Sequence, residues 1–73
     1  MINEILAKIP ERVISSLDWY IINTSGDDDF RSYGWAIFGV CMTLIDLGVL
    51  SLTEGEKLYE YYYDLLENGG NAR

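Results

Sequence analysis

Glu56, Glu60 and Asp64 stand four residues apart, with Tyr59 and Tyr63 beside them and Glu67 just beyond. On a helix this spacing raises the three carboxylates up one side at about 6 Å per step. Two chemistries are open to such a row. Neighbouring carboxylates can serve as general acid and base. A regular line of negative charge can also stand in for phosphates, which lie about 6 to 7 Å apart along one nucleic-acid strand when an axial rise of about 3.4 Å is combined with the helical path.

The first chemistry needs a group whose pKa is brought near neutrality and a partner that orients it. The chain has no histidine, and Glu56 and Glu60 flank Lys57 in a polar pattern where water keeps carboxylates ionised. The sequence therefore predicts no enzyme. The second chemistry fits better, because tyrosine is a favoured interface anchor. Glu56, Tyr59, Glu60, Tyr63, Asp64 and Glu67 form the expected partner-binding set, directed at a protein with a basic surface. The competing description is a plain solvated helix face whose acidity only keeps the protein soluble. Like charges at i and i+4 weaken a helix slightly, so the row carries a cost unless a partner offsets it.

Other chemistries find no support. One cysteine, Cys41, and no histidine cannot assemble the usual zinc or transition-metal sites. Asp27, Asp28 and Asp29 lack the alternating acids, central glycine and closing glutamate of a helix-loop-helix calcium site, and helix capping accounts for them. Gly34 and Gly39 lie within a helical pattern with no lysine after them, so they make no phosphate loop and are expected to permit close helix approach. An apolar setting keeps the Cys41 thiol inert. No cofactor is expected.

Seventy-three residues make one domain with a marginal core. Apolar residues at 49% and aromatics at 14% are enough to fold the chain. The net charge of −7, twelve acids against five bases, repels phosphate backbones and anionic lipid. Direct nucleic-acid binding is not expected. A lone cysteine within an apolar run suits a reducing, cytoplasmic setting. Residues 1–10 carry Glu4 and Lys8 and do not read as a secretion signal. Tyr33 to Ile45 is uncharged but short of the roughly 20 residues that cross a bilayer. Asp46 follows it and would cost a few kcal/mol in lipid, so a buried helix is preferred to a membrane span.

The elements that position these residues follow a helical period throughout. Ile2, Ile5, Leu6 and Ile9 make a first short stripe. Pro10 opens a second helix running to about Asn23, with Val13, Ile14, Leu17, Tyr20 and Ile21 inward. Trp19 and Ile22 fall off that stripe and form an alternative interface. A break over Thr24 to Asp29 precedes a third helix from about Asp28 to Leu47, closed by Gly48. Its apolar residues go all the way round, which predicts burial on most sides, in a bundle centre or a homodimer. Ser51 or Thr53 caps the last helix, each with a glutamate three residues later. There Leu58, Tyr61, Tyr62, Leu65 and Leu66 share the core face, and Gly69-Gly70 ends the helix.

The expected fold is all-α: a three- to four-helix bundle with a central hydrophobic helix and a C-terminal antiparallel helical hairpin. The expected function is a non-enzymatic acidic binding module. Its preferred form is an inhibitor or nucleic-acid mimic acting on the basic groove of a nucleic-acid enzyme, of the kind that phage and mobile elements direct against host defences. A self-associating structural or regulatory protein is the alternative, and a small membrane protein a third.

Overall fold

The computed structural model describes residues 2–24 and 27–68. They form four helices, α1 (Ile2–Leu6), α2 (Glu11–Ile22), α3 (Asp27–Asp46) and α4 (Leu52–Glu67), with no strand among the described residues. The side chains of Asp27 to Phe30, and the expected stop at Gly69-Gly70, lie outside the described residues.

Local signals explain the boundaries. Pro10 sits at the N-cap of α2 with φ −57°. Its missing N–H would have no helical partner there, and its carbonyl accepts from the amides of Val13 and Ile14 at 2.9 and 3.2 Å. Asn23 ends α2 by donating its side-chain amide to the Trp19 carbonyl at 2.8 Å. The exit of α3 is a Schellman turn: Gly48 has φ +79°, its N–H reaches the Ile45 carbonyl and that of Val49 reaches Leu44, both at 3.0 Å. Leu50 then plugs into the core, which pins this connection to the bundle. Of the two expected caps, Ser51 is the one used. Its hydroxyl accepts from the Glu54 amide at 3.2 Å and the Glu54 carboxylate accepts from the Ser51 amide at 2.9 Å. Thr53 lies inside the helix.

The core gathers Ile5 and Ile9, Leu17 and Ile21 of α2, Ile37, Cys41 and Leu44 of α3, and Leu58, Tyr62 and Leu66 of α4. Each such aliphatic side chain contributes about 1.5 to 3 kcal/mol by leaving water. Helices α3 and α4 form the expected antiparallel hairpin, with Gly34 facing Tyr63 and Leu66 at one end and Gly55 facing Ile45 and Cys41 at the other. Helix α4 packs against all three other helices. Its Tyr62 hydroxyl donates to the Asp18 carboxylate of α2 at 2.8 Å. On the loop side of the bundle, Lys8 pairs with Glu54.

Three expectations need correction. Helix α3 is not covered on most sides within the single chain, which corrects the bundle-centre form of that expectation: Ile37, Cys41 and Leu44 face inward, while Trp35 is 71% exposed, Leu47 is 72% exposed and Phe38 and Met42 are partly open. A bundle of this size has no further helix to lay over that side. Close helix approach is not made at Gly39, where an added Cβ would meet nothing within 4 Å, and at Gly34 it would make ordinary contacts of 3.8 and 3.9 Å. The tight position is Gly55, where a Cβ would fall 2.3 Å from Cδ1 of Ile45. Tyr61, expected on the core face, is exposed, since Leu58, Tyr62 and Leu66 fill that face first.

Candidate partner-binding face

Helix α4 turns Gly55, Leu58, Tyr62 and Leu66 inward. That rotation leaves Glu56, Glu60, Asp64 and Glu67 exposed, with Tyr59 and Tyr63 half-buried between them and the core. None of the four carboxylates has an ion-pair partner among the described residues, where the one ion pair joins Lys8 to Glu54 on the other flank of α4. The Lys8 ammonium, helped by the Ser51 amide, holds the Glu54 carboxyl below its ordinary range. Among the described residues, no three carboxylate or thiol groups converge as a metal site.

The two tyrosines belong to a longer aromatic row. Tyr63 and Tyr59 lie with ring centres 5.5 Å apart, Tyr59 meets Phe38 of α3 edge-on at 5.5 Å, and Phe38 meets Trp35 edge-on at 6.0 Å. Such edge-to-face pairs hold rings in fixed orientations. Burial, together with the neighbouring Tyr63, pushes the Tyr59 hydroxyl above its ordinary pKa, so it stays neutral beside the acids.

Alongside the row, α3 and α4 part to leave a groove of about 510 Å³. Phe38, Met42 and Ile45 line one wall, Leu52 and Tyr59 the other, with Cys41 and Gly55 at the base and Glu56 and Glu60 at the rim. No protein-family model, no curated protein and no solved structure matches this chain. The face is therefore interpreted from its own chemistry.

The structure brings together all six residues of the expected set on one side of α4, and adds an α3 wall that the sequence reading missed. The signal was present. Gly34, Ile37, Cys41 and Leu44 form one helical stripe, and Trp35, Phe38, Met42 and Ile45 form a second stripe offset by one residue. Merged, the two read as a helix apolar all round. The alternative interface is also open to solvent, with Trp19 52% and Ile22 78% exposed. Trp19 is braced there by Tyr20 at 5.5 Å and Tyr33 at 5.9 Å, over a shallow depression lined by Ser15 and Ser16.

Two buried groups stand apart from this face. Burial raises the Cys41 thiol to about 11, so it is protonated and unreactive near neutrality. Burial and the hydrogen bond to Asp18 raise Tyr62 well above the ordinary tyrosine value. No described helix is long and apolar enough to cross a membrane.

Proposed function

We propose that this chain is a non-enzymatic acidic module that binds a protein through the α4 face carrying Glu56, Glu60, Asp64 and Glu67. One observation supports this above the others: four exposed carboxylates share a helix and none is neutralised by an ion pair among the described residues. A net charge of −7 steers such a face toward positive surfaces and raises the association rate. The preferred partner is the basic groove of a nucleic-acid enzyme, where the row would occupy phosphate positions and inhibit by exclusion.

The test compares the wild-type chain with Glu56→Gln/Glu60→Gln/Glu67→Gln, which preserves helix propensity. Proteins captured from native lysate by the wild type should be lost with the variant and on raising salt, and duplex DNA should compete for them. Equal capture by the variant at low salt rejects the acidic face. Capture that DNA does not displace rejects mimicry alone.

A second reading is self-association, favoured by the open side chains of Trp35, Phe38 and Met42. Sedimentation equilibrium at micromolar concentration decides it, and a monomer mass throughout excludes it.

A further inference from the structure

We infer that the groove between α3 and α4 seats an amphipathic helix of the partner, basic along its flanks and apolar along its contact stripe. This inference rests on the basic-partner reading and adds where the partner's chain lies. Trp35, Phe38, Met42 and Ile45 recur along α3 at spacings of three and four. Leu52, Tyr59 and Tyr63 recur along α4 at seven and four. Two antiparallel helices with apolar flanks turned to one side make the seat into which the ridge of a third helix packs. Gly55 forms its base, because the absent side chain lets Ile45 pack closely against α4.

Charge decides between occupants. Every charged residue that lines the groove is acidic, Glu56 and Glu60. Asp46, exposed one turn beyond Met42, adds a carboxylate at the loop end. No lysine or arginine lines the groove. A second copy would bring its own charge of −7 and the same acidic rim, an arrangement that costs affinity. A helix with lysine or arginine flanking a leucine stripe satisfies both the apolar wall and the rim.

The experiment uses the full chain and two synthetic 18-residue peptides, one with a leucine stripe flanked by lysines and one with the leucines changed to serine. Fluorescence anisotropy at low salt gives the affinities. The leucine–lysine peptide should bind at least about tenfold more tightly than its serine counterpart, since apolar anchors dominate such interfaces. Met42→Glu provides the sharper reading. It adds one more negative charge beside the rim, so purely electrostatic binding predicts an unchanged or tighter complex, whereas groove seating predicts about tenfold weaker binding. Met42→Ala, which adds no charge, should weaken binding in the same direction and serves if the glutamate variant fails to fold. Ile22→Ser, at the other exposed surface, should leave binding unchanged.

Equal binding of the two peptides, or a Met42→Glu chain that binds as well as the wild type, overturns the groove inference. If the triple Gln variant still weakens binding in that case, the acidic-face reading survives alone. Loss of binding with Ile22→Ser moves the site to α2 and overturns it as well. A dimer mass for the free chain, abolished by Met42→Glu, places a second copy in the groove and rejects the partner helix.

Discussion

Gly39→Ala and Gly55→Ala are the same chemical change in two helices, and the packing around them predicts opposite signs. At Gly39 the new methyl group meets nothing within 4 Å. The substitution should contribute about 1 kcal/mol of stability from helix propensity and a less flexible unfolded chain. That corresponds to a rise of about 4 to 8 °C in Tm for a domain of this size. At Gly55 the methyl group would sit 2.3 Å from Cδ1 and 2.6 Å from Cγ1 of Ile45. A β-branched side chain has one strongly preferred rotamer in a helix, so Ile45 cannot swing its Cγ1 away without strain. Overpacking costs about 1 to 3 kcal/mol, and the rigidity of Ile45 argues for the upper half of that range. After the propensity gain, Gly55→Ala should lose about 1 to 2 kcal/mol. Urea unfolding at 25 °C, followed by far-ultraviolet circular dichroism, measures both. Ile45→Ala removes the obstructing atoms, so the Ile45→Ala/Gly55→Ala double variant should be more stable than the sum of the singles by about the strain relieved, 2 to 3 kcal/mol. If Gly55→Ala raises the midpoint as much as Gly39→Ala does, the close approach of α3 and α4 is not as described and the base of the groove must be redrawn.

Two further outcomes follow from the buried groups. Tyr62→Phe should cost about 1 kcal/mol in urea unfolding, because it deletes the hydrogen bond to Asp18 while keeping the ring in the core; a loss below about 0.3 kcal/mol rejects a structural role for that bond. Stability should fall as pH rises from about 9 to 11, since the Cys41 thiol ionises near 9.0 when unfolded but only near 11 when buried. Below that window the thiol is neutral in both states and its full contribution is present. Across the window the loss is about 2 to 3 kcal/mol. Tyr62 adds a loss of the same sign above the ordinary tyrosine value. Cys41→Ala should remove the part of the decline that begins near pH 9, and an unaltered profile would refute the assignment.

Helix starts and stops were the most legible features of the chain, because they depend on atoms only a few residues apart. The Ser51 hydroxyl and the Glu54 carboxylate form their box within one turn, and Gly48 takes its positive φ beside the helix it ends. The inward stripes of α2 and α4 were legible for a similar reason, as each has a polar side for contrast. Helix α3 lacks that contrast. Which of its two apolar stripes faces the core is decided by Leu58, Tyr62 and Leu66 across the hairpin, and periodicity in one helix carries no such information. Gly55 was silent in the sequence because its importance is set by Ile45, ten residues away. The acidic half of the candidate face could be read from spacing, but the apolar half exists only where two helices meet.

The dependence of every other helix on α4 has a consequence for the order in which the protein is made. A chain leaves the ribosome from its N-terminal end at about 5 to 20 residues per second. The segments of α1, α2 and α3 therefore emerge while the helix they pack on is still inside the exit tunnel. Until α4 emerges, the inward residues Ile37 and Leu44 lack the helix they chiefly pack on, and contacts such as that between Asp18 and Tyr62 wait for residues 44 positions later in the chain. Completion of the core thus waits until the last of the four helices is free.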